Sequence, residues 1–239
     1  MNNMVSKKKI LLIAIIVILV AIGAYFLSNY QQGKAAFAGE HNILLLCTDP
    51  SENRPGIGAV DMAFVVNLKD GHLGNITKVY PGGLTHPTKQ PSDSMRAEGL
   101  SVVYLHDSLW SENLEEGTKT AQEIVEYHTG LKSDIVMVVT PDAIDALIKA
   151  VGPVYSNGEE VKTSSIDFLR EDQSENGATR GDAVEGLADG IKEAAQKNGK
   201  KPELISTALD QFNKGNIQVV PKEKFSQFIS YAGISNVLN

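Results

Sequence analysis

Hydrophobic residues along the chain fall into short runs that alternate with polar stretches. Four runs are apolar, short and bounded by turn residues, which is typical of buried strands: 42–47, 62–68, 135–139 and 217–220. The turn signal Asp70-Gly71 predicts that residues 74–80 return as a further strand and form a hairpin with 62–68. These runs predict the strands of a central sheet.

Between and after these strands, apolar residues recur at the spacing of a helix. The predicted helices cover residues 118–128, 141–151, 180–196, 202–213 and 221–230. Gly181, Gly186 and Gly190 weaken the third of them, and their regular spacing predicts that another backbone approaches closely on one side. Because strands and helices alternate in the second half, we predict an α/β (α+β) fold with a mixed central sheet flanked by helices.

The segment between the third predicted strand and the first predicted helix is less regular. Residues 85–98 are rich in Pro, Ser and Thr and predict a long surface loop, and loops of this length are often functional. Residues 100–105 are apolar and fit either a strand or a buried helix. Both alternatives remain open.

The N-terminus carries an apolar stretch of a different kind. Residues 10–27 contain no charged side chain, and a helix of that length spans about 27 Å, close to the hydrocarbon thickness of a bilayer. Lysines at 7–9 precede it and the next basic residue is Lys34, so we predict a cytoplasmic N-terminus at 1–9. We predict a single transmembrane helix at 10–29, a tether at 30–41 and an extracytoplasmic domain at 42–239.

A cleaved signal peptide is the alternative for this N-terminus. Ala36-Phe37-Ala38 resembles a cleavage site, but the apolar stretch is longer than a usual signal core and the triplet lies well beyond its end. We therefore favour an uncleaved anchor in the cell membrane. Under either interpretation the main domain works outside the cytoplasm.

Charge and residue counts exclude several classes of function. The formal net charge is −7 and no basic run exceeds three residues, which argues against a nucleic-acid partner. The single cysteine, Cys47, cannot form an intrachain disulfide, and the five histidines show no zinc-ligand spacing. His106, Asp107 and Ser108 are the residue types of a hydrolase triad, but consecutive residues cannot adopt its geometry.

Two aspartates mark the ends of the first two predicted strands. Asp49 ends the first and Asp61 begins the second, so adjacent strands would place both carboxylates at one edge of the sheet. Mg²⁺ commonly binds one or two carboxylates together with a substrate phosphate, and Arg54 lies between them with a guanidinium suited to phosphate. The alternative is that both aspartates cap turns and Arg54 pairs with Glu52 at the surface.

A second polar cluster lies before the helix predicted at 180–196. Arg170 and Arg180 stand at either end of a polar loop, and a helix start adds free backbone N–H groups that favour an anion. The alternative is two surface arginines, with Arg170 paired to Glu171 or Asp172. Residue type alone leaves both possibilities open.

Three segments, in order, resemble the LytR-CpsA-Psr (LCP) family. ILLLCTDPSENRPGIGAVDMAFVV resembles its opening strand–loop–strand motif, TGLKSDIVMVVTPDAIDALIKAVGPV resembles its strand–helix–turn segment, and FLREDQSENGATRGDAVEGLADGI resembles its paired-arginine segment. RPGIGAVDMAFVVNLKDG is also similar to a related envelope family with an Arg-Pro-x-Gly-Gly loop. Together the matches cover about residues 42–230.

The LCP resemblance implies an LCP-like fold and a definite chemistry. Family enzymes are membrane-anchored phosphotransferases that move a glycopolymer from a polyprenyl-pyrophosphate carrier onto a cell-wall polymer with Mg²⁺. By position, Asp49 and Asp61 would hold the metal, and Arg170 and Arg180 would bind the pyrophosphate, with Arg54 as a possible third ligand.

The chain also departs from the family pattern. Val60 and Gly82 stand where the family has arginines, and Asp172 replaces the second arginine of the pair. Arginine clamps stabilise the charge that develops in phosphoryl transfer. Two functions therefore remain open: an Mg²⁺-dependent phosphotransferase of envelope polymer assembly, or a non-catalytic scaffold or sensor that binds lipid or polymer.

Overall fold

The computed structural model describes residues 31–49, 51–52, 54–162, 164–165, 167–168 and 179–238, without the side chains of Arg180 and of 232–238. The predicted cytoplasmic segment and transmembrane helix lie outside the described residues. Within the described ranges, no helix is long and apolar enough to cross a membrane. The predicted tether is helical at residues 31–36 and then leads into the first strand.

The central element is a mixed five-stranded sheet with the order β3-β2-β1-β4-β7. Only the β1–β4 pair is parallel, and the other neighbours are antiparallel. In chain order the strands are β1 (Glu40–Asp49), β2 (Ala59–Lys69), β3 (His72–Val79), β4 (Ile135–Val139), β5 (Tyr155–Ser156), β6 (Glu159–Glu160) and β7 (Ile217–Val220). The helices are α1 (Asp93–Ala97), α2 (Leu114–Thr129), α3 (Pro141–Val151), α4 (Arg180–Lys197), α5 (Lys201–Asn213) and α6 (Lys222–Leu238). The predicted mixed sheet flanked by helices is confirmed.

Alternation of side chains along the strands gives the sheet two covered faces. On the face we call the α2 face, Leu44 and Leu46 of β1 pack with residues of α2 and of the 84–110 segment. On the opposite face, the α6 face, Ile43 of β1 packs with Ile135 of β4 and Phe225 of α6. Both faces of β1 are therefore buried, which explains why its sequence is an unbroken apolar run.

The glycines of α4 face a small hairpin that the strand pattern did not predict. A Cβ on Gly190 would lie inside contact distance of the Tyr155 carbonyl of β5, and one on Gly186 would be 2.8 Å from Ser156 Oγ. The predicted close backbone approach is confirmed at Gly190, whereas Gly186 and Gly181 meet side chains, of Ser156 and Lys78 respectively. The hairpin turn is Asn157-Gly158, with φ of 52° and 89°, and this dipeptide is the sequence signal that could have revealed β5 and β6.

The 81–113 segment differs from the long loop that we predict from sequence. It contains the short helix α1, whose N-cap Ser92 accepts a hydrogen bond from the Met95 amide. Residues 100–105 form neither alternative, a full strand or a helix. Instead Leu105 donates its backbone N–H to the Leu84 carbonyl at 2.8 Å and thereby ties the segment to itself. Its apolar side chains pack on the α2 face, because that face lacks any other cover there.

Candidate functional site

A β-bulge sets the position of Asp61. Cys47 of β1 pairs with Met62 of β2, but the next residue of β1, Thr48, pairs with Val60, so that Asp61 is the extra residue. In an unbroken register Asp61 would stand opposite Thr48 and point into the α2 face. The bulge instead places Val60 in that core.

Asp49 lies on the α6 face of the sheet, and Asp61 lies near Cys47 of the same face. Asp49 follows Ile43 and Cys47 in the alternation of β1, and it pairs with Ala59 at the strand end. Burial raises the pKa of the Cys47 thiol to about 12, and the nearby Asp61 charge adds to this shift.

The two aspartates have the donor chemistry that suits Mg²⁺. Both side chains are half-buried, and Asp49 Oδ1 accepts a hydrogen bond from the Ser51 amide at 2.8 Å. Over the part of the chain that the structure describes, no group of three or more His, Cys, Asp or Glu is arranged to hold a metal ion. A pair of carboxylates still fits Mg²⁺, because that ion usually keeps several waters and completes its shell with substrate phosphate.

The β1–β2 loop is fixed by contacts with residues 106–111. Val60 donates its backbone N–H to the His106 carbonyl at 2.8 Å, and the His106 ring faces the Val60 carbonyl through Nδ1 at 2.9 Å. His106 Nε2 lies 2.9 Å from Glu52 Oε2. Gly56 has no room for a side chain, since a Cβ there would lie inside contact distance of the Leu109 carbonyl. The loop that joins the two aspartates is therefore held at several points.

Arg54, predicted to bind pyrophosphate, takes part in this loop network. Its Nε donates to Asp107 Oδ1 at 3.0 Å, and its Nη2 lies 3.4 Å from Glu52 Oε2. Asp107 is 3% exposed, so the guanidinium balances a buried charge. The Arg54 guanidinium also lies 5.3 Å from the centroid of the Trp110 ring. The predicted Arg54–Glu52 contact is present, but the stronger partner is Asp107, which is distant in sequence.

The second predicted cluster begins at the N-terminus of α4. Thr179, the N-cap, accepts a hydrogen bond from the Tyr80 hydroxyl at 3.0 Å. Lys78 of β3 pairs with Asp182 in the first turn and with Glu185 at 2.8 Å. Lys78 pairs in the sheet with Phe64 and so lies on the α6 face. The α4 start, where Arg180 is the first residue, is thus held beside the face that carries Asp49.

Of the two predicted arginines of that cluster, the structure describes only the backbone of Arg180. The backbone of Arg180 opens α4, whereas Arg170 lies outside the described residues. Hydrogen bonds that Lys78 donates to the carboxylates of Asp182 and Glu185 hold the pKa of Lys78 above its ordinary value. Lys78 is the basic residue that sequence reasoning missed. Its signal was weak, because a lysine near the end of an amphipathic edge strand is ordinary in a solvent-exposed position.

An apolar cavity of about 300 Å³ opens on the α6 face, toward the start of β1. Its walls include Ile43, Leu68, Met137, Val219, Phe225 and Phe228. The cavity and Asp49 therefore lie on the same side of the sheet. Ile43 and Asp49 are six residues apart on β1, which corresponds to about 20 Å.

Comparison with known proteins gives one family and a set of similar folds. The model of a family described as "Protein of unknown function (DUF4012)" matches residues 38–173. No curated protein matches the sequence. The related Arg-Pro-x-Gly-Gly resemblance stays a prediction.

Solved structures with a similar fold come from several bacteria. The crystal structure of protein gbs0355 from Streptococcus agalactiae matches with a TM-score of 0.55 and 14% identity, over 81% of this chain and 73% of that chain. TagV from B. subtilis has a TM-score of 0.49 and 13% identity, over 81% and 80% of the two chains. Lin1025 from Listeria innocua has a TM-score of 0.48 and 13% identity, over 82% and 80%. At these identities the likeness to gbs0355 shows a common α/β fold and nothing further.

Proposed function

The chain belongs to the DUF4012 family, and we propose that it acts in the assembly of cell-envelope polymers on the outer side of the membrane. In this proposal it binds a glycopolymer that is linked through pyrophosphate to a polyprenyl carrier. The observation that carries the proposal is that Asp49 lies on the same sheet face as an apolar cavity, with Asp61 at the same end of the β1–β2 pair. A carrier lipid has the same two parts, a charged head and an apolar tail.

The apolar cavity and the charged strand end correspond to the two parts of such a ligand. The apolar cavity would accept isoprene units of the tail, because its lining offers almost no polar group. The pyrophosphate would then lie toward the C-terminal end of β1, beside Asp49. Burial of the tail contributes affinity in proportion to the apolar area that leaves water, about 25 cal/mol per Å².

Asp49 and Asp61 are the residues that would hold Mg²⁺. The ion would neutralise part of the pyrophosphate charge and reduce the repulsion between the two carboxylates. The loop contacts of Val60 and His106 serve to keep the two strand ends together. Arg180 and Arg170 are proposed as pyrophosphate ligands at the α4 start, where backbone N–H groups also favour an anion. Arg54 donates its Nε–H to Asp107, so a pyrophosphate could meet only its terminal nitrogens.

The proposed reaction is transfer of the phosphate-linked glycopolymer. A hydroxyl oxygen of the acceptor polymer attacks the phosphorus that carries the glycan, and a new P–O bond forms. The bond from that phosphorus to the bridging oxygen breaks, and polyprenyl phosphate leaves with the electron pair. The hydroxyl proton passes to solvent.

A non-catalytic scaffold or sensor is the second candidate, and it has a specific observation in its favour. Val60 occupies the position of a family arginine and is completely buried in the α2-face core, so it adds no charge to the site. Arg54 is in addition paired with Asp107. The site therefore has less positive charge with which to stabilise a transition state of phosphoryl transfer. A scaffold that binds lipid needs the same lipid-linked ligand as the transferase and differs only in that it does not turn it over, whereas a scaffold that binds polymer needs no lipid.

One experiment tests the shared part and then separates the two candidates. The full chain in detergent is titrated with polyprenyl-pyrophosphate analogues of increasing tail length, with and without Mg²⁺. We expect affinity to rise with tail length and with Mg²⁺, whereas equal affinity for all tails, or no binding, would contradict the proposal. Addition of a cell-wall polymer acceptor then reports turnover: release of polyprenyl phosphate supports the transferase, and binding without release supports the scaffold.

Membrane anchoring through residues 10–29 belongs to the same proposal. A lipid carrier is confined to the bilayer, so an anchored domain meets it at a high local concentration. We expect the full chain to remain with membranes after alkaline extraction and residues 42–239 to be digested by protease added outside the cell. Release of the protein by alkali, or protection from external protease, would contradict it.

A further inference from the structure

The predicted tether is packed on the folded domain instead of forming a free linker. Gly33 lies directly against α6, because a Cβ there would be 2.7 Å from the Gln227 carbonyl and 3.0 Å from the Tyr231 Cβ. Lys224 of α6 donates its Nζ to the Ala36 carbonyl at 3.1 Å. The chain is therefore held along α6 before β1 begins.

Two further contacts fix the end of this segment. Phe37 is 2% exposed in the core of the α6 face, and its ring meets that of Phe228 edge to face, with 6.0 Å between the centroids. The Gly39 amide donates to Asp70 Oδ1 at 2.8 Å, and the Asp70 amide donates to the Gly39 carbonyl at 2.7 Å. Contacts with α6, with the core and with the β2–β3 turn thus fix the segment relative to the domain.

These contacts determine which surface of the domain lies next to the membrane. This step rests on the proposed membrane anchor at 10–29, and only Tyr30 separates that anchor from Gln31, the first described residue. One residue spans at most about 3.6 Å, so the packed segment must lie close to the bilayer. We propose that the surface around this segment, which includes the mouth of the apolar cavity of the α6 face, rests against the lipid bilayer.

Exposed apolar side chains lie at this surface. Leu73 of β3 is 56% exposed and Phe228 of α6 is 39% exposed, and both line the cavity. A Cβ on Gly71 would be 3.0 Å from the Tyr231 ring, so the turn before Leu73 adjoins the part of α6 that carries Gly33. Transfer of such side chains from water to the acyl region of a bilayer is favourable in proportion to their apolar area. A bilayer therefore fits this surface.

The charged groups of the same surface fit the region of lipid head groups. Lys34 is exposed, and Lys69 and Glu40 form a pair at 4.0 Å in which both side chains are 71% exposed. Lysine can lay its apolar stem along an apolar surface while its ammonium group stays among phosphates and water. Because the carboxylate of Glu40 is equally exposed, it also remains hydrated at that depth.

This orientation gives a carrier lipid a direct path into the protein. The cavity mouth faces the bilayer, so a polyprenyl tail enters from the acyl region without crossing water. Ile43 lines the cavity near the start of β1, and Asp49 lies about 20 Å further along the strand. The charged head of the carrier would then extend away from the bilayer toward Asp49. An anchor alone, joined through a free linker, would leave the orientation of the domain undetermined.

Tryptophan emission tests the orientation. Leu73→Trp in a Trp110→Phe background has one tryptophan at the cavity mouth, whereas the wild type has its single tryptophan, Trp110, beside Arg54 of the β1–β2 loop. Both full chains are placed in nanodiscs of phosphatidylglycerol and phosphatidylcholine, with and without lipid that is brominated in the upper part of the acyl chains. Apolar groups at a membrane surface lie about 5–10 Å into the head-group and acyl boundary. We expect brominated lipid to remove most of the emission of Leu73→Trp and to leave that of Trp110 unchanged.

Absence of quenching in Leu73→Trp, or equal quenching in both proteins, would overturn the proposal. Phe228→Trp in the same Trp110→Phe background is a second reporter, on α6 in place of β3, and we expect it to be quenched as well. Quenching at neither position in folded protein would show that this surface does not meet the bilayer.

A change in the packed segment tests what sets the orientation. Gly33→Leu, added to Leu73→Trp, should reduce the quenching while far-UV circular dichroism stays the same, because the new side chain displaces the segment from α6. Ala35→Leu is the matched control, since Ala35 is exposed in the same helical turn and should leave the quenching as it was. Equal quenching in both variants would contradict the role of the Gly33 contact.

The outcomes separate this inference from the proposed function. Quenching of Leu73→Trp without affinity for polyprenyl-pyrophosphate analogues would uphold the membrane-facing surface and contradict the proposed ligand. Binding of the analogues without quenching would uphold the ligand and overturn the orientation. Release of the protein from membranes by alkali would remove the anchor and overturn both.

Discussion

Arg54 donates its Nε–H to the carboxylate of Asp107 at 3.0 Å, across 53 residues of chain. The contact links the loop between β1 and β2 to the segment between α1 and α2. It also explains why the side chain of Arg54 is only 20% exposed although it lies in a polar loop. The sequence predicts that Arg54 binds a phosphate, and the structure shows that it also has a structural role as the partner of Asp107.

Removal of this guanidinium should destabilise the protein. We expect Arg54→Ala to lower the free energy of unfolding by about 3 kcal/mol, because it leaves the buried Asp107 carboxylate without its charged partner. Urea unfolding of the variant measures the effect. Arg96→Ala is the control, since the Arg96–Asp93 pair is exposed and should contribute only about 0–1 kcal/mol. Equal losses of unfolding free energy in the two variants would show that the Arg54–Asp107 pair stabilises the protein no more than an exposed ion pair does.

The bulge at Asp61 makes Val60 a core residue, so the family arginine cannot be restored there. Val60→Arg should destabilise the protein by about 4 kcal/mol or more, because a charge would enter the α2-face core without a partner. Thermal unfolding or the yield of folded protein would measure it. Val102→Arg is the matched control, because Val102 is 36% exposed and its position can solvate a charge. A stable Val60→Arg variant would mean that residue 60 does not point into the core.

The close packing of α4 on the β5–β6 hairpin predicts a clear difference between two glycines. Gly190→Ala should cost about 1–3 kcal/mol, because the new methyl group meets the Tyr155 carbonyl, which is backbone and cannot rotate away. This cost should exceed the gain of up to about 1 kcal/mol from helix propensity. Gly82→Ala, where a Cβ would meet nothing within 4 Å, should change stability by less than about 0.5 kcal/mol. Differential scanning calorimetry compares them, and a neutral Gly190→Ala would refute the close approach.

The Lys78–Asp182 pair holds the start of α4 against β3, and this contact should be lost at acidic pH. The hydrogen bond from Lys78 holds the pKa of Asp182 below its ordinary value, so the pair stabilises the folded state above pH about 4. The stabilisation is lost as pH falls through the lowered pKa, because Asp182 then becomes protonated.

Carboxyl titration by NMR tests this directly. Asp182 should titrate below the ordinary pKa of an aspartate, about 3.9. Lys78→Met should raise the Asp182 pKa toward its ordinary value, and Lys69→Met, at an exposed lysine on β2, should leave it unchanged. An Asp182 pKa that is insensitive to Lys78→Met would remove the proposed anchor.

The sequence was most informative where a single physical effect determines the structure. Apolar runs placed β1 and β4 because both faces of these strands are buried, and β7 because Ile217 and Val219 are buried on the α6 face. The glycine spacing of α4 correctly indicated a close neighbour. The Asn157-Gly158 hairpin was missed although its turn residues are typical, because its strands have only two residues each. Short strands leave no hydrophobic period to detect.

Features that depend on long-range contacts were not predictable in the same way. The bulge at Asp61 has no signal in β2 itself, because it appears only when β2 is aligned with β1. Asp107 was considered solely as part of a hydrolase triad, since its partner Arg54 lies far away in sequence. The side of the sheet that carries Asp61, and the partner of Arg54, both follow from tertiary packing.

The central claim is that Asp49 and Asp61 together support binding of a lipid-linked pyrophosphate through Mg²⁺. The most direct measurement is the affinity of the full chain for a polyprenyl-pyrophosphate analogue as a function of Mg²⁺ concentration, in the wild type and in Asp61→Asn. Asp189→Asn serves as the control, because Asp189 is an exposed carboxylate on α4. We predict that Mg²⁺ strengthens binding at least tenfold, equivalent to about 1.4 kcal/mol, in the wild type and in Asp189→Asn but not in Asp61→Asn. Equal Mg²⁺ dependence in all three proteins would contradict the account.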